Sequence, residues 1–201
     1  MGLVFGVEVS KIVIYPLGGI TKLKMPLNIN KYKELLILIA GPLFQFIAYF
    51  ILLVILKNHT KMINFYHFNI LFFNLIPIYP LDGGKIINIL LSEFIPYKKS
   101  LQLSIQLSYI IVVILLLKFD QKYINIIIME LLLLILIYKE NKKIDYIYNK
   151  FLLERYLKCY NFKEANIINN INNLYRDKRH LLKNKGKYYT EYEFLQKKYK
   201  K

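Results

Sequence analysis

From Leu35 to Leu56 the chain runs for just over twenty residues without a charged side chain, which is the length a helix needs to cross bilayer hydrocarbon. Further apolar stretches cover about 65–91, 101–117 and 123–138. The sequence therefore predicts an all-α polytopic membrane protein with spans at about 35–56, 65–91, 101–117 and 123–138. A composition 56% apolar and lacking tryptophan agrees with embedding in lipid. Gly41-Pro42 interrupts the first span, where the small residue admits a close neighbour and the proline loosens the local turn. Gln45 is expected to bond across to a neighbouring helix.

Within the second stretch stands Asn74-Leu75-Ile76-Pro77-Ile78-Tyr79-Pro80-Leu81-Asp82-Gly83-Gly84-Lys85. An ionised aspartate inside a membrane helix costs roughly 2.5–3.5 kcal/mol on insertion scales, so Asp82 needs a wet interior or a cation. Pro77 and Pro80 lack N–H donors, so the helix should loosen between Ile76 and Asp82. Backbone freed at that depth is tolerated only inside protein or along a cavity. Asn74 is expected to project into the same cavity. The plainer alternative is a proline-kinked packing helix that ends in a polar glycine turn.

This stretch resembles the second signature of the site-2 protease family of intramembrane zinc metalloproteases, an Asn followed eight positions later by Asp-Gly with prolines between. It is most similar to the stage IV sporulation protein FB branch. That branch shares an Ala-Gly-Pro-Leu like Ala40–Leu43, a Pro-Leu-Gly-Gly like Pro16–Gly19, the Pro80–Lys85 ending and a Phe-Leu-Leu-Glu-Arg-Tyr like Phe151–Tyr156. The resemblance implies a metalloendopeptidase with Zn²⁺ as cofactor, Asp82 as a metal ligand and Asn74 as the catalytic residue steadying the reacting peptide. Pro80, Gly18 and Gly19 would bind substrate. It further implies a membrane-associated protein substrate of the sigma-factor-precursor kind, processed during sporulation, and an inhibitory membrane partner. The family's first signature, His-Glu-x-x-His, is absent. The three histidines are His59, His67 and His180, and none precedes a glutamate. The expectation is that this chain begins just after that motif, with Met1 an internal methionine, and that residues 1–201 alone neither hold zinc nor cleave. His59 and His67 are expected to be interfacial residues and not ligands.

Residues 7–25 alternate β-forming side chains around Pro16-Leu17-Gly18-Gly19, which predicts a short hairpin at the membrane interface. Its edge could take an extended substrate as an added strand, or it could merely cover the site. No charged segment followed by a short apolar core and a cleavage site marks the N-terminus as a signal peptide. Glu130, inside the fourth span, is expected to be protonated or paired with Gln102, Gln106 or Ser108. Residues 1–140 are read as a membrane-embedded core and 141–201 as a basic, partly helical cytoplasmic tail. In that tail, Ile144, Ile147, Tyr148, Phe151, Leu152 and Tyr156 recur at helical spacing, as in a helix resting on anionic headgroups. Beyond Asn166 the composition permits a small ordered unit or a loose basic arm. The lone Cys159 excludes a disulfide framework.

The net charge of +16 comes from lysines flanking the spans, a membrane pattern that predicts no nucleic-acid partner. Residues 1–34, 92–100 and the tail carry most of these lysines, so they are expected on the cytoplasmic side of the cell membrane. Besides the protease, two other readings fit the residues. One is a catalytically inactive membrane protein that binds and sequesters clients. The other is a small transporter or lipid-binding protein using Asp82 and Glu130 as a proton relay, which the lack of an internal repeat weakens.

Overall fold

The computed structural model describes residues 8–15, 18–24, 26–118, 124–158, 160, 162, 164–184 and 186–199. The expected turn at Pro16-Leu17, the break around Asp120 and Lys122, and Cys159 lie outside them. The hairpin is present: β1 (Glu8–Tyr15) pairs antiparallel with β2 (Gly18–Lys24), in a register that sets Tyr15 against Gly18 and Ile14 against Gly19.

Asn30 starts α1 (Lys31–Ile55) by accepting the Tyr32 N–H at 2.9 Å, and the helix continues unbroken through Pro42. The chain returns through a short 3-10 turn at Lys57–His59 into α2 (Thr60–Leu75). The stretch expected as one span over 65–91 is in fact two helices, α2 and α3 (Asp82–Phe94), because residues 76–81 leave the helix at the two prolines. Next come α4 (Tyr97–Lys118) and α5 (Ile124–Leu157). Among the described residues two helices, α1 and α4, are long and apolar enough to cross a membrane, whereas α2 and α3 are each shorter than 18 residues.

α5 differs from the expected fourth span in continuing without interruption to Leu157. Its 34 residues make a rod of about 51 Å. The apolar face after Lys143 does not rest on headgroups. Ile144, Tyr148, Phe151 and Leu152 are buried in the same core as Tyr97, Leu174, Leu182 and Leu195. The segment beyond Asn166 belongs to an ordered unit, with strand order β3-β4-β5. There β3 (Ala165–Ile168) runs parallel to β4 (Arg179–Asn184), and β5 (Lys187–Thr190) is antiparallel to it. The β4–β5 turn passes through Gly186 at φ +77°, a left-handed conformation natural to glycine. A reciprocal cap between Thr190 and Glu193 then starts α6 (Glu191–Tyr199).

Arg155 of the Phe151–Tyr156 landmark ties this unit to the segment before α1. Its side chain is 1% exposed, and its donors reach Asn28 Oδ1 at 2.8 Å, both oxygens of Glu191 at 2.9 and 3.1 Å, and the carbonyls of Tyr175, Arg176 and Lys178. Glu154 accepts the N–H of Leu27 at 2.6 Å, while Arg176 donates to the Leu27 carbonyl at 3.1 Å and pairs with Glu34. His180 completes the cluster. It accepts the Tyr175 N–H at Nε2, so Nδ1 carries the proton toward Glu191 at 2.6 Å. Burial alone would raise the Glu191 carboxyl, but His180 and Arg155 outweigh it and hold the group below the usual carboxylate range.

Candidate metal-ligand site at a broken helix

The unwound stretch between α2 and α3 leaves no N–H wanting. Ile76 donates to the Phe72 carbonyl at 3.1 Å, Ile78 to the Ile76 carbonyl at 2.7 Å, Leu81 to the Ile78 carbonyl at 2.8 Å and Tyr79 to Ser108 Oγ at 2.7 Å. Pro77 and Pro80, the latter following a cis peptide bond, have no N–H to satisfy. Every donor of residues 76–81 is thereby met within the protein, as backbone outside a helix must be at membrane depth. Ile78, with no exposed surface, anchors the turn in the core.

Ser108 is held in turn by a stripe of serines one helical turn apart on α4. Its hydroxyl donates to the Ser104 carbonyl at 2.7 Å, Ser104 donates to Ser100, and Ser100 reaches Asn88 Oδ1 of α3 at 3.0 Å. All three serines are buried. Small hydroxyl residues let α3 and the break approach α4 closely while serving its backbone.

Gly83 and Gly84 are required by a second close approach. A Cβ on Gly83 would stand 2.5 Å from the Ile76 carbonyl oxygen and also strike that of Leu75, and one on Gly84 would stand 2.5 Å from the Ile78 carbonyl carbon. The first turn of α3 thus folds directly onto the broken backbone, which fixes the position of Asp82, its first residue.

Asp82 keeps 30% of its side chain exposed. Oδ1 accepts from Lys85 Nζ at 3.0 Å, and Oδ2 lies 3.6 Å from where a Cβ on Gly41 of α1 would be. Gly41 therefore brings α1 to the carboxylate without covering it. Asn74, half-buried in the last turn of α2, stands on the other side of the break. No hydrogen bond among the described residues links it to Asp82. Pro80 lies half-buried inside the turn, and Gly18 and Gly19 open β2.

Neither His59 nor His67 joins Asp82. His67 is stacked on Tyr49 with ring centroids 4.1 Å apart, between α1 and α2, and Gln45 donates across to its carbonyl at 3.0 Å as expected. Glu130 does not make the expected pairings, since Ser108 is engaged by Tyr79 and Ser104. Both Glu130 oxygens lack a partner although the residue is 1% exposed. Among the described residues no three His, Cys, Asp or Glu side chains converge. The described residues therefore do not fit zinc: one carboxylate paired with an ammonium does not make a zinc site, which takes three protein ligands or more.

Lys85, Gly41 and the serine stripe were not read from the sequence as parts of this site. The serines at i, i+4 and i+8 and the Lys three positions after Asp82 were visible signals, because both spacings place side chains on one helix face.

Residues 56–117, which contain the break, Asp82 and the serine stripe, match peptidase family M50. The chain is 32% identical over 161 residues to stage IV sporulation protein FB of Bacillus subtilis, an alignment covering 76% of this chain and 56% of that protein. It is 35% identical over 122 residues to the zinc metalloprotease MJ0392 of Methanocaldococcus jannaschii, covering 56% of this chain and 35% of that one. The chain thus spans about half the length of one of these relatives and about a third of the other. Residues 56–117, with the Asp82 stretch, thus match the peptidase family M50 (site-2 protease) domain, and the chain is similar to two relatives, one of them named a zinc metalloprotease.

Proposed function

We propose that this chain forms the aspartate-bearing part of a zinc-dependent intramembrane endopeptidase, with Asp82 as one metal ligand and Asn74 holding the scissile peptide. The observation that carries the reading is the placement of Asp82. A partly open carboxylate stands at the start of α3 beside broken backbone whose N–H groups are all met, with Gly41 leaving one of its faces clear. A structural carboxylate would be enclosed by donors, and this one has a single lysine. The family's His-Glu-x-x-His signature, which would supply two imidazoles and a general base, is not among residues 1–201. The hairpin containing Gly18 and Gly19 is proposed to hold an unwound substrate strand, with Pro80 lining the approach. The proposed client is a membrane-associated sigma-factor precursor. The proposed topology places the N-terminus and tail in the cytoplasm, where an inhibitory membrane partner would also reach the site.

The negative fit to zinc favours a second reading, a non-catalytic protein that binds and sequesters such clients. Sequencing the DNA before the Met1 codon separates the two: an in-frame His-Glu-x-x-His run supports the protease, and an adjacent stop codon supports the binding protein. At the protein level, residues 1–201 purified in detergent should hold far less than one zinc per chain by elemental analysis. One tightly bound zinc that survives Asp82→Asn would overturn the assignment of Asp82.

A further inference from the structure

At the loop end of the α1–α2 hairpin lies a cavity of about 540 Å³ that the proposed chemistry does not use. Its wall includes Ala48, Tyr49, Leu52, Met62, Tyr66 and His67 and is almost wholly apolar. His67 on this wall is 6% exposed and packs among Phe46, Tyr49 and Phe68.

The mouth of this cavity is cationic. A second cavity of about 470 Å³ follows Val54 to His59 and shares Leu56 and His59 with the first. His59 lines both cavities and Lys57 the second, Lys61 follows in the first turn of α2, all three are exposed, and among the described residues no acid pairs with any of them. The sequence contains no Asp or Glu between Glu34 and Asp82, so the α1–α2 hairpin itself carries no counter-charge.

We infer that this groove binds one anionic phospholipid, with its phosphate against Lys57, His59 and Lys61 and an acyl chain along the apolar wall. The size selects a lipid over a helix. A volume of about 540 Å³ falls in the range of about 300–1,000 Å³ that holds one small ligand. A helix about 10 Å across laid along the same wall would need more than ~1,000 Å³. Charge selects an anionic headgroup, since lysines beside a bilayer surface attract acidic lipids. The inference requires that α1 and α2 lie in a membrane, but it does not depend on proteolysis.

Native mass spectrometry of the purified 201-residue chain, in neutral detergent with equal amounts of phosphatidylglycerol and phosphatidylcholine, tests this directly. The expected result is one retained lipid per chain, with phosphatidylglycerol favoured by about tenfold. The exposed pair Lys57→Glu and Lys61→Glu should bring that preference to about one or below. Ala48→Phe, which fills the groove, should remove retention of both lipids while the thermal midpoint stays within a few degrees. Equal retention of the two lipids by the unaltered chain overturns the inference, as does retention that survives Ala48→Phe. So does a dimer that Ala48→Phe dissolves, which would identify the occupant as a second copy. Because no cleavage is measured, failure here is distinct from failure of the protease reading.

Discussion

Asp82 and Arg155 are two charges placed in the interior of the same chain, and they are treated in opposite ways. Arg155 is 1% exposed and meets acceptors from Asn28, Tyr175, Arg176, Lys178 and Glu191. Asp82 is 30% exposed, with Lys85 beside one oxygen and an open glycine facing the other. A charge whose bonds are all made locks structure, because nothing in the folded chain can improve on its partners. A charge left half-served has capacity for something else. The difference separates a residue that holds the fold from one presented for use.

The comparison can be tested from the clamp outward. Arg155→Ala should cost most, about 3–5 kcal/mol, because it leaves the half-buried Glu191 with His180 alone, strands the Tyr175, Arg176 and Lys178 carbonyls and frees the segment at Asn28. Thermal unfolding in detergent measures it. A loss under ~1 kcal/mol would mean that the clamp is no more than a surface contact. Ser108→Ala should cost about 1–3 kcal/mol by leaving the Tyr79 N–H without an acceptor. Hydrogen exchange should show faster exchange at Tyr79 and at its neighbours in the break.

Acidification should weaken the clamp next. Glu191 titrates below its ordinary value in the folded chain, so its contribution is fully present above the unfolded value of about 4.3 and fades as pH falls through the folded one. Stability scanned from pH 6 downward should therefore drop in the carboxylate range, and Glu191→Gln should flatten that drop. Asp82→Asn should do least to the fold, removing an exposed i,i+3 pair worth about 0.2–0.5 kcal/mol. A loss of several kcal/mol at Asp82 would erase the contrast and make it a structural residue.

The break itself was legible in the sequence because its causes are local. Prolines at positions 77 and 80 and the Gly83-Gly84 pair dictate backbone behaviour wherever they stand. What lies against the break was harder to see. Gly41 was legible as a place for close approach, but only the fold shows that the approaching group is Asp82. The apolar rhythm from Ile144 to Tyr156 indicated a helix correctly and its partner wrongly, since periodicity reports that a face is covered and not whether lipid or protein covers it. The clamp joins Arg155 to Asn28 across 127 positions of sequence, a separation no local pattern encodes. Glu130 shows the same limit, since Ser108, one of its candidate partners, is engaged by Tyr79 and Ser104 while Gln102 and Gln106 face outward, exposed.

The uninterrupted α5 has a mechanical meaning. Its 34 residues carry Glu130 near one end and Arg155 near the other, with no proline or glycine between to absorb a bend. A tilt of about 5° over such a rod, some 50 Å long, moves the far end by roughly 4 Å, more than the reach of a hydrogen bond. A lean of α5 would therefore pull on Asn28 through Arg155, and through Asn28 on the strand pair that precedes α1.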